Sequence, residues 1–216
     1  MKRVIVIGLG NFGATAARKL YDAGHEVVVV DAREKAVDDM AGSSTRAAVG
    51  DGRDADTLKR VGGAEADAAI VSTGADLASS ILAVLALKDI DVEDIYVKVV
   101  SKEHARIMNK LGVTETIFPE RDSAAALAKR IPGKAVLNFF EVAPGFCLSE
   151  IATPDRWTNR TLAELNIRRE HGVLVVAVHD VLTDRYAAPD PQARLQDSDA
   201  LLLAGSEADL TELGNL

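Results

Sequence analysis

Residues 1–31, MKRVIVIGLGNFGATAARKLYDAGHEVVVVD, constrain this chain more than any other stretch. Arg3 to Ile7 is a short β-branched run of the kind that forms buried parallel strands. It leads into Gly8-Leu9-Gly10-Asn11-Phe12-Gly13, then an Ala-rich helical segment ending near Gly24. A second apolar strand, Glu26 to Val30, finishes on Asp31. A lone glycine triplet is weak, but strand, glycines, helix, strand and acid in this order form the dinucleotide-binding fingerprint. Gly8 permits the tight turn, Gly10 lets the backbone approach a pyrophosphate, and Gly13 lets the helix pack on the sheet. The free N–H groups and positive dipole end of that helix face the phosphates. Asp31 can accept from both ribose hydroxyls. A 2′-phosphate there meets a like charge, which favours NAD or an adenine nucleotide over NADP.

Composition narrows the function classes. A hydrophobic share of 48% in 216 residues is ample for a core, and a formal net charge of −8 argues against nucleic-acid binding. The single cysteine, Cys147, leaves no internal disulfide framework and reads as a small hydrophobe in an apolar strand. No apolar run reaches the roughly 18–20 residues a membrane span needs. With Arg3 already in a strand, no signal peptide is expected, and the chain reads as soluble.

Further along, strands alternate with helices. Helices are expected over Arg33 to Met40, Asp54 to Val61 (capped by Asp54), Leu77 to Lys88 and His104 to Leu111. Strands are expected over Thr45 to Val49, Ala66 to Ser72, Ile95 to Val100 and Thr116 to Phe118. This alternation signifies an α/β doubly wound parallel sheet of Rossmann type, filling about 120 residues. Ligands in such folds sit beyond the carboxyl ends of the strands. The candidates are therefore Gly8, Gly10, Asn11, Phe12 and Gly13, then Asp31-Ala32-Arg33, Asp51-Gly52, Thr73-Gly74-Ala75, Lys98 and Glu120. Lys98, a lone charge in YVKVV, reads as a rim residue or a phosphate contact. Glu120 reads as a ligand for a divalent cation bridging phosphates, or as an N-terminal helix charge. His104 reads as a surface helix residue or a neighbour of the cofactor.

The boundary of this first domain is expected near Pro132 to Lys134, giving domains 1–133 and 134–216. The second is a small α+β lobe. It holds strands at Cys147 to Ala152 (alternating like an exposed-face strand), Val173 to His179 and Ala200 to Ala204. A short helix spans Thr161 to Asn166 with a Thr161/Glu164 capping box, and a last helix spans Glu207 to Leu213. An NAD-dependent oxidoreductase would need a substrate domain with an acid or base against the nicotinamide. This lobe is short for that, and His25, His104, His171 and His179 read as structural or surface residues rather than catalytic ones. Binding without chemistry is the better reading. An oxidoreductase or a stand-alone redox-sensing Rossmann module is the rival.

The motifs VIGLGNFG, HEVVVVD, Gly50-Asp51, IVSTGAD, IYVKV and IFPERD, followed by WTNRTLAELNIRREHGVLVVAV and DALLLAG, resemble a known family. They are similar to the RCK-domain regulatory subunits of bacterial Ktr and Trk potassium uptake systems. The resemblance implies an RCK N-terminal domain that binds ATP, ADP or NAD(H), and subunits that form dimers and an octameric ring. It implies docking of that ring on the cytoplasmic face of a membrane potassium channel or transporter subunit, gated by nucleotide exchange. It places Asp31 on the ribose, Gly8 to Gly13 on the phosphates, Asp51, Thr73 and Lys98 around the rest, and His104 nearby. Glu120 matches a position for Mg2+ or another divalent cation at a dimer interface. Ktr-type members often carry Arg where this chain has Asn11, a departure that weakens the implication of preferential ATP activation and strengthens that of ADP or NAD(H) occupancy relative to an Arg-bearing member. In the C-terminal lobe, Asn166, Ile167, Arg168 and Pro189 match a region that binds cyclic di-AMP in some members.

Overall fold

The computed structural model describes residues 1–131 and 135–215, and the expected boundary at Pro132 to Lys134 lies outside them. Two compact units divide the chain, Met1–Glu120 and Arg121–Leu216.

The first unit alternates β1 (Arg3–Ile7), α1 (Asn11–Asp22), β2 (Glu26–Asp31), α2 (Glu34–Asp38), β3 (Arg46–Val49), α3 (Ala55–Arg60) and β4 (Ala68–Val71). It continues through α4 (Leu77–Lys88), β5 (Asp94–Lys98), α5 (Lys102–Lys110) and β6 (Glu115–Ile117), and its last two residues begin α6 (Pro119–Arg130), most of which belongs to the second unit. The six strands are parallel in the order β3-β2-β1-β4-β5-β6, so this is the expected doubly wound sheet. Alternating side chains explain why it is covered on both faces. Ile5, Ile7, Val28 and Val30 enter one core with α3 and α4; Val4, Val6, Val27 and Val29 enter another with Ala17 and Val37. Strand order reverses between β1 and β4, which opens a crevice beyond their carboxyl ends.

The second unit contains β7 (Val136–Ala143), β8 (Phe146–Ala152), α7 (Leu162–Leu165), α8 (Ile167–His171), β9 (Leu174–Asp180), β10 (Arg185–Ala187), β11 (Asp199–Ser206) and α9 (Glu207–Gly214). Its strands form an antiparallel sheet in the order β10-β9-β11-β8-β7. One face packs Cys147, Ile151, Leu201 and Leu203 against Trp157, Leu165, Leu210 and Leu213. Cys147 is wholly buried there. The Thr161/Glu164 capping box is present in both directions. Asn166, in the left-handed region at φ 44°, breaks the chain between α7 and α8, a conformation Asn tolerates better than most residues.

The second unit differs from expectation in two respects. β8 is an interior strand between β11 and β7, and even its outward Glu150 is buried, because side chains from three other strands or turns close over it. Strands β7 and β10 and helix α8 are additions to the expected elements; β10 and α8, at three and five residues, are too short for periodicity to register.

Candidate functional site

The first unit holds a crevice of about 670 Å³ over the carboxyl ends of its strands. The glycine turn between β1 and α1 forms its floor. Gly8 sits at φ +91°, and a Cβ there would strike the backbone carbonyl of Ser72. A Cβ on Gly13 would strike the Gly8 carbonyl oxygen, whereas one on Gly10 would meet nothing within 4 Å among the described residues. Gly10 and Gly13 therefore have different reasons for being glycine. The second makes room for protein and the first for something else.

Helix α1 begins at Gly10 with no side-chain cap and no acidic residue in its first turn. By contrast, α3, α4, α5, α7 and α9 are each capped by their own Asp, Ser or Thr. The first-turn N–H groups of α1 are thus left for an outside acceptor, at the positive end of a twelve-residue helix. A second open valence lies across the crevice: Thr73 Oγ1 is buried and, among the described residues, has no hydrogen-bond partner.

Asp31 is 7% exposed. Its carboxylate accepts from the Leu9 N–H (2.6 Å), the Arg33 N–H (2.8 Å) and the Arg33 guanidinium (3.0 Å to Nε and 3.0 Å to Nη2). Burial pushes this carboxyl up, but the hydrogen bonds from Arg33 and Leu9 together with the Arg33 charge outweigh it and hold the group below the usual carboxylate range. Asp51 repeats the pattern at the tip of β3. It accepts from the Arg53 N–H (2.9 Å) and guanidinium (2.7 Å to Nη2), and these bonds lower its pKa. Lys98 Nζ meets Glu120 Oε1 at 2.5 Å, a contact that holds the Glu120 carboxyl low.

The crevice thus gathers Gly8, Gly10, Asn11, Phe12, Asp31, Ala32, Arg33, Asp51, Gly52, Thr73, Gly74, Lys98 and Glu120. Gly13 supports its floor from below, and Ala75 lies outside the lining. His104 is not on the surface: it is 2% exposed, with Nε2 3.0 Å from Ser80 Oγ and Nδ1 without a partner among the described residues. Burial lowers its pKa, and it is a core group outside the crevice lining. Arg53, Ser79 and Gly50 also line the crevice, beyond the residues the sequence points to. The Asp-x-Arg repeat after two successive strands is the available signal for Arg53. No group of three or more His, Cys, Asp or Glu that could hold a metal occurs among the described residues.

In the second unit a polar groove is lined by Arg156, Trp157, Arg160, Glu164, Asn166 and His171, among others. Asn166 is in it. Ile167 is instead buried in the core, Arg168 is exposed on α8, and Pro189 is half-buried outside the groove lining.

The parallel sheet with its open helix terminus and acid-tipped β2 defines a Rossmann-type unit, here followed by a small α+β lobe. The chain matches the TrkA-N domain over residues 4–119 and the TrkA-C domain over residues 148–216. It belongs to the TrkA family of RCK proteins, which includes the Ktr and Trk potassium uptake proteins. It is 32% identical to Ktr system potassium uptake protein C of Bacillus subtilis over 210 residues, covering 97% of this chain and 95% of the relative. It is 31% identical to Ktr system potassium uptake protein A of Vibrio alginolyticus over 206 residues, covering 95% and 93%. In fold it resembles the GsuK channel bound to NAD, with a TM-score of 0.63 at 19% identity over 97% of this chain. It spans 38% of that longer protein. No helix among the described residues is long and apolar enough to cross a membrane.

Proposed function

We propose that this chain is a regulatory subunit that senses an adenine nucleotide, ATP, ADP or NAD(H), in the crevice of its first unit. In this reading, occupancy gates a membrane potassium channel or transporter subunit from the cytoplasmic side. The observation that carries it is the uncapped α1 facing an acid-tipped β2 across an open glycine floor. The potassium uptake names of the relatives and the NAD bound by the GsuK channel, a neighbour in fold, support it. They favour a regulator over an oxidoreductase.

The α1 N–H groups would hold the phosphates, Asp31 the ribose and Thr73 Oγ1 a further polar atom of the ligand. Asn11 places no positive charge beside the phosphates, which favours ADP or NAD(H) over ATP. Glu120 would meet a divalent cation only after parting from Lys98. Self-association into dimers and an octameric ring fits the exposed Leu82 and Leu85 on α4 and the exposed Phe140 and Phe146 on the second sheet, apolar surface that other subunits would cover. A cyclic di-AMP site in the second unit would centre on Asn166, with Arg160 as the cation in the same groove.

The test is potassium flux through the membrane subunit reconstituted in vesicles with this chain. Exchanging ADP, ATP and NADH should change flux by about fivefold or more, the lower range of allosteric coupling. With Asp31→Ala, flux should no longer depend on nucleotide. Flux that ignores every nucleotide in the unaltered protein would contradict the reading.

A further inference from the structure

The four bonds on Asp31 saturate it. An ionised carboxylate offers about four lone-pair sites on two oxygens. On Oδ2 these are taken by the Leu9 N–H and Arg33 Nη2, and on Oδ1 by the Arg33 N–H and Nε. Two of the four come from backbone N–H groups, Leu9 in the glycine turn and Arg33 in the turn after β2, and are fixed with those turns. The other two come from a side chain that is 65% exposed, while its acceptor is 7% exposed. The guanidinium is therefore the partner that can leave. Its departure frees one site on each carboxylate oxygen, the pattern a vicinal diol requires. Arg33 stands where a ribose would stand.

The same pair changes the charge of that corner. Asp31 alone would repel a phosphate on the 2′-hydroxyl. With Arg33 beside it the pair is neutral, and a displaced guanidinium remains tethered two residues from the carboxylate. Arg53 adds a second guanidinium to the same rim, likewise paired to its own Asp51. An arginine near the acid at the tip of β2 is the feature that accommodates a 2′-phosphate in Rossmann-type sites, and guanidinium matches phosphate in a bidentate fork.

We propose that Arg33 is a specificity-determining placeholder: it occupies the ribose position until adenosine enters, and once released it lets the crevice accept adenosine bearing a 2′-phosphate. This rests on the nucleotide reading above and extends it to NADP(H). The two roles have opposite signs, which makes them separable. As a placeholder Arg33 competes with an unphosphorylated ribose; as a phosphate clamp it assists a phosphorylated one.

The experiment is titration of the full chain and of Arg33→Ala with NADH and NADPH at low ionic strength. The unaltered chain should bind both, with NADPH within about tenfold of NADH. Arg33→Ala should bind NADH more tightly, by about threefold or more, and NADPH more weakly, by about tenfold or more. NADH binding with no NADPH binding in the unaltered chain would overturn the proposal, as would an Arg33→Ala variant whose two affinities move together or not at all. Binding of ADP but of neither NADH nor NADPH would overturn the proposal and leave the nucleotide reading standing, whereas failure to bind ADP as well would overturn the nucleotide reading itself.

Discussion

Gly13→Ala is expected to unfold or severely loosen the first unit, whereas Gly10→Ala is expected to leave it folded and deprive it of nucleotide. The new Cβ on Gly13 would collide with the Gly8 carbonyl oxygen. That oxygen belongs to a turn fixed on both sides: Gly8 donates its N–H to Val30 at 2.9 Å, and Ser72 donates to Ile7 at 2.8 Å. Neither partner can swing aside as a flexible side chain would, so the clash is relieved only by moving α1 off the sheet. A loss of roughly 3 kcal/mol or more is the expected scale for such a backbone conflict. Gly10 differs in every respect. Its φ is −73°, open to any residue, and its Cβ would point into free space. Its substitution should cost about 0.5–1 kcal/mol through the weaker cap and reduce nucleotide affinity about tenfold or more, because the methyl occupies the phosphate approach. Thermal unfolding and nucleotide titration of the two variants check this. Equal stabilities would remove the structural distinction between the glycines.

The second large effect concerns Glu150 in the other unit. It is 3% exposed and charged, on the sheet face opposite Cys147 and Ile151. Asn138 on β7 donates to it at 2.5 Å, Tyr186 on β10 at 3.2 Å, and His179 on β9 lies 2.5 Å away. His179 also reaches Asp184 at 3.2 Å and stacks on Tyr186 with ring centroids 4.0 Å apart. Burial raises the Glu150 carboxyl, but Asn138, His179 and Tyr186 outweigh it and bring it below its ordinary value. The hydrogen bond to Glu150, opposed by burial and aided by Asp184, raises His179.

Glu150→Ala removes the common acceptor of three strands and should destabilise the second unit by roughly 1–3 kcal/mol, the scale for leaving buried donors without their acceptor. Trp157, the single tryptophan, is 3% exposed in that unit's core, so its fluorescence in a urea titration reports this unit directly. The effect also has a pH signature. A raised His179 contributes stability that is complete below its unfolded pKa of about 6.5 and is lost as pH rises through the folded value. A lowered Glu150 contributes stability that is complete above its unfolded pKa of about 4.3 and is lost as pH falls through the folded value. The gap between the unaltered chain and Glu150→Ala should therefore be widest at about pH 5–6 and narrow toward either side. A gap independent of pH would mean that Glu150 acts by packing alone.

These two sites mark what the sequence reveals and what it hides. The glycine turn, the β2 acid and the Asp54 and Thr161 caps are local devices, each made of residues within a few positions of one another. The structure places them as read. Glu150 and His179 are 29 residues apart and meet only through strand register, which periodicity does not encode. Lys98 is readable as a rim charge, but its pairing with Glu120 depends on where α6 begins after β6. His104 reads as a surface helix residue because it is polar and follows Lys102 and Glu103 in the first turn of α5; its burial against Ser80 follows from how α5 meets α4. Arg33 is visible as a neighbour of Asp31. That it fills the carboxylate's remaining acceptor sites is a matter of rotamer, which spacing does not encode.

Isothermal titration of the full chain with ADP and NADH, repeated on Asp31→Ala, tests the central claim most directly. Both ligands should bind below millimolar concentration. The substitution should weaken each by about 100-fold, equivalent to about 2.7 kcal/mol, with Asp31→Asn falling between because it keeps an oxygen for the Leu9 N–H. No heat with either ligand at millimolar concentration, or an affinity unchanged in Asp31→Ala, would contradict the account.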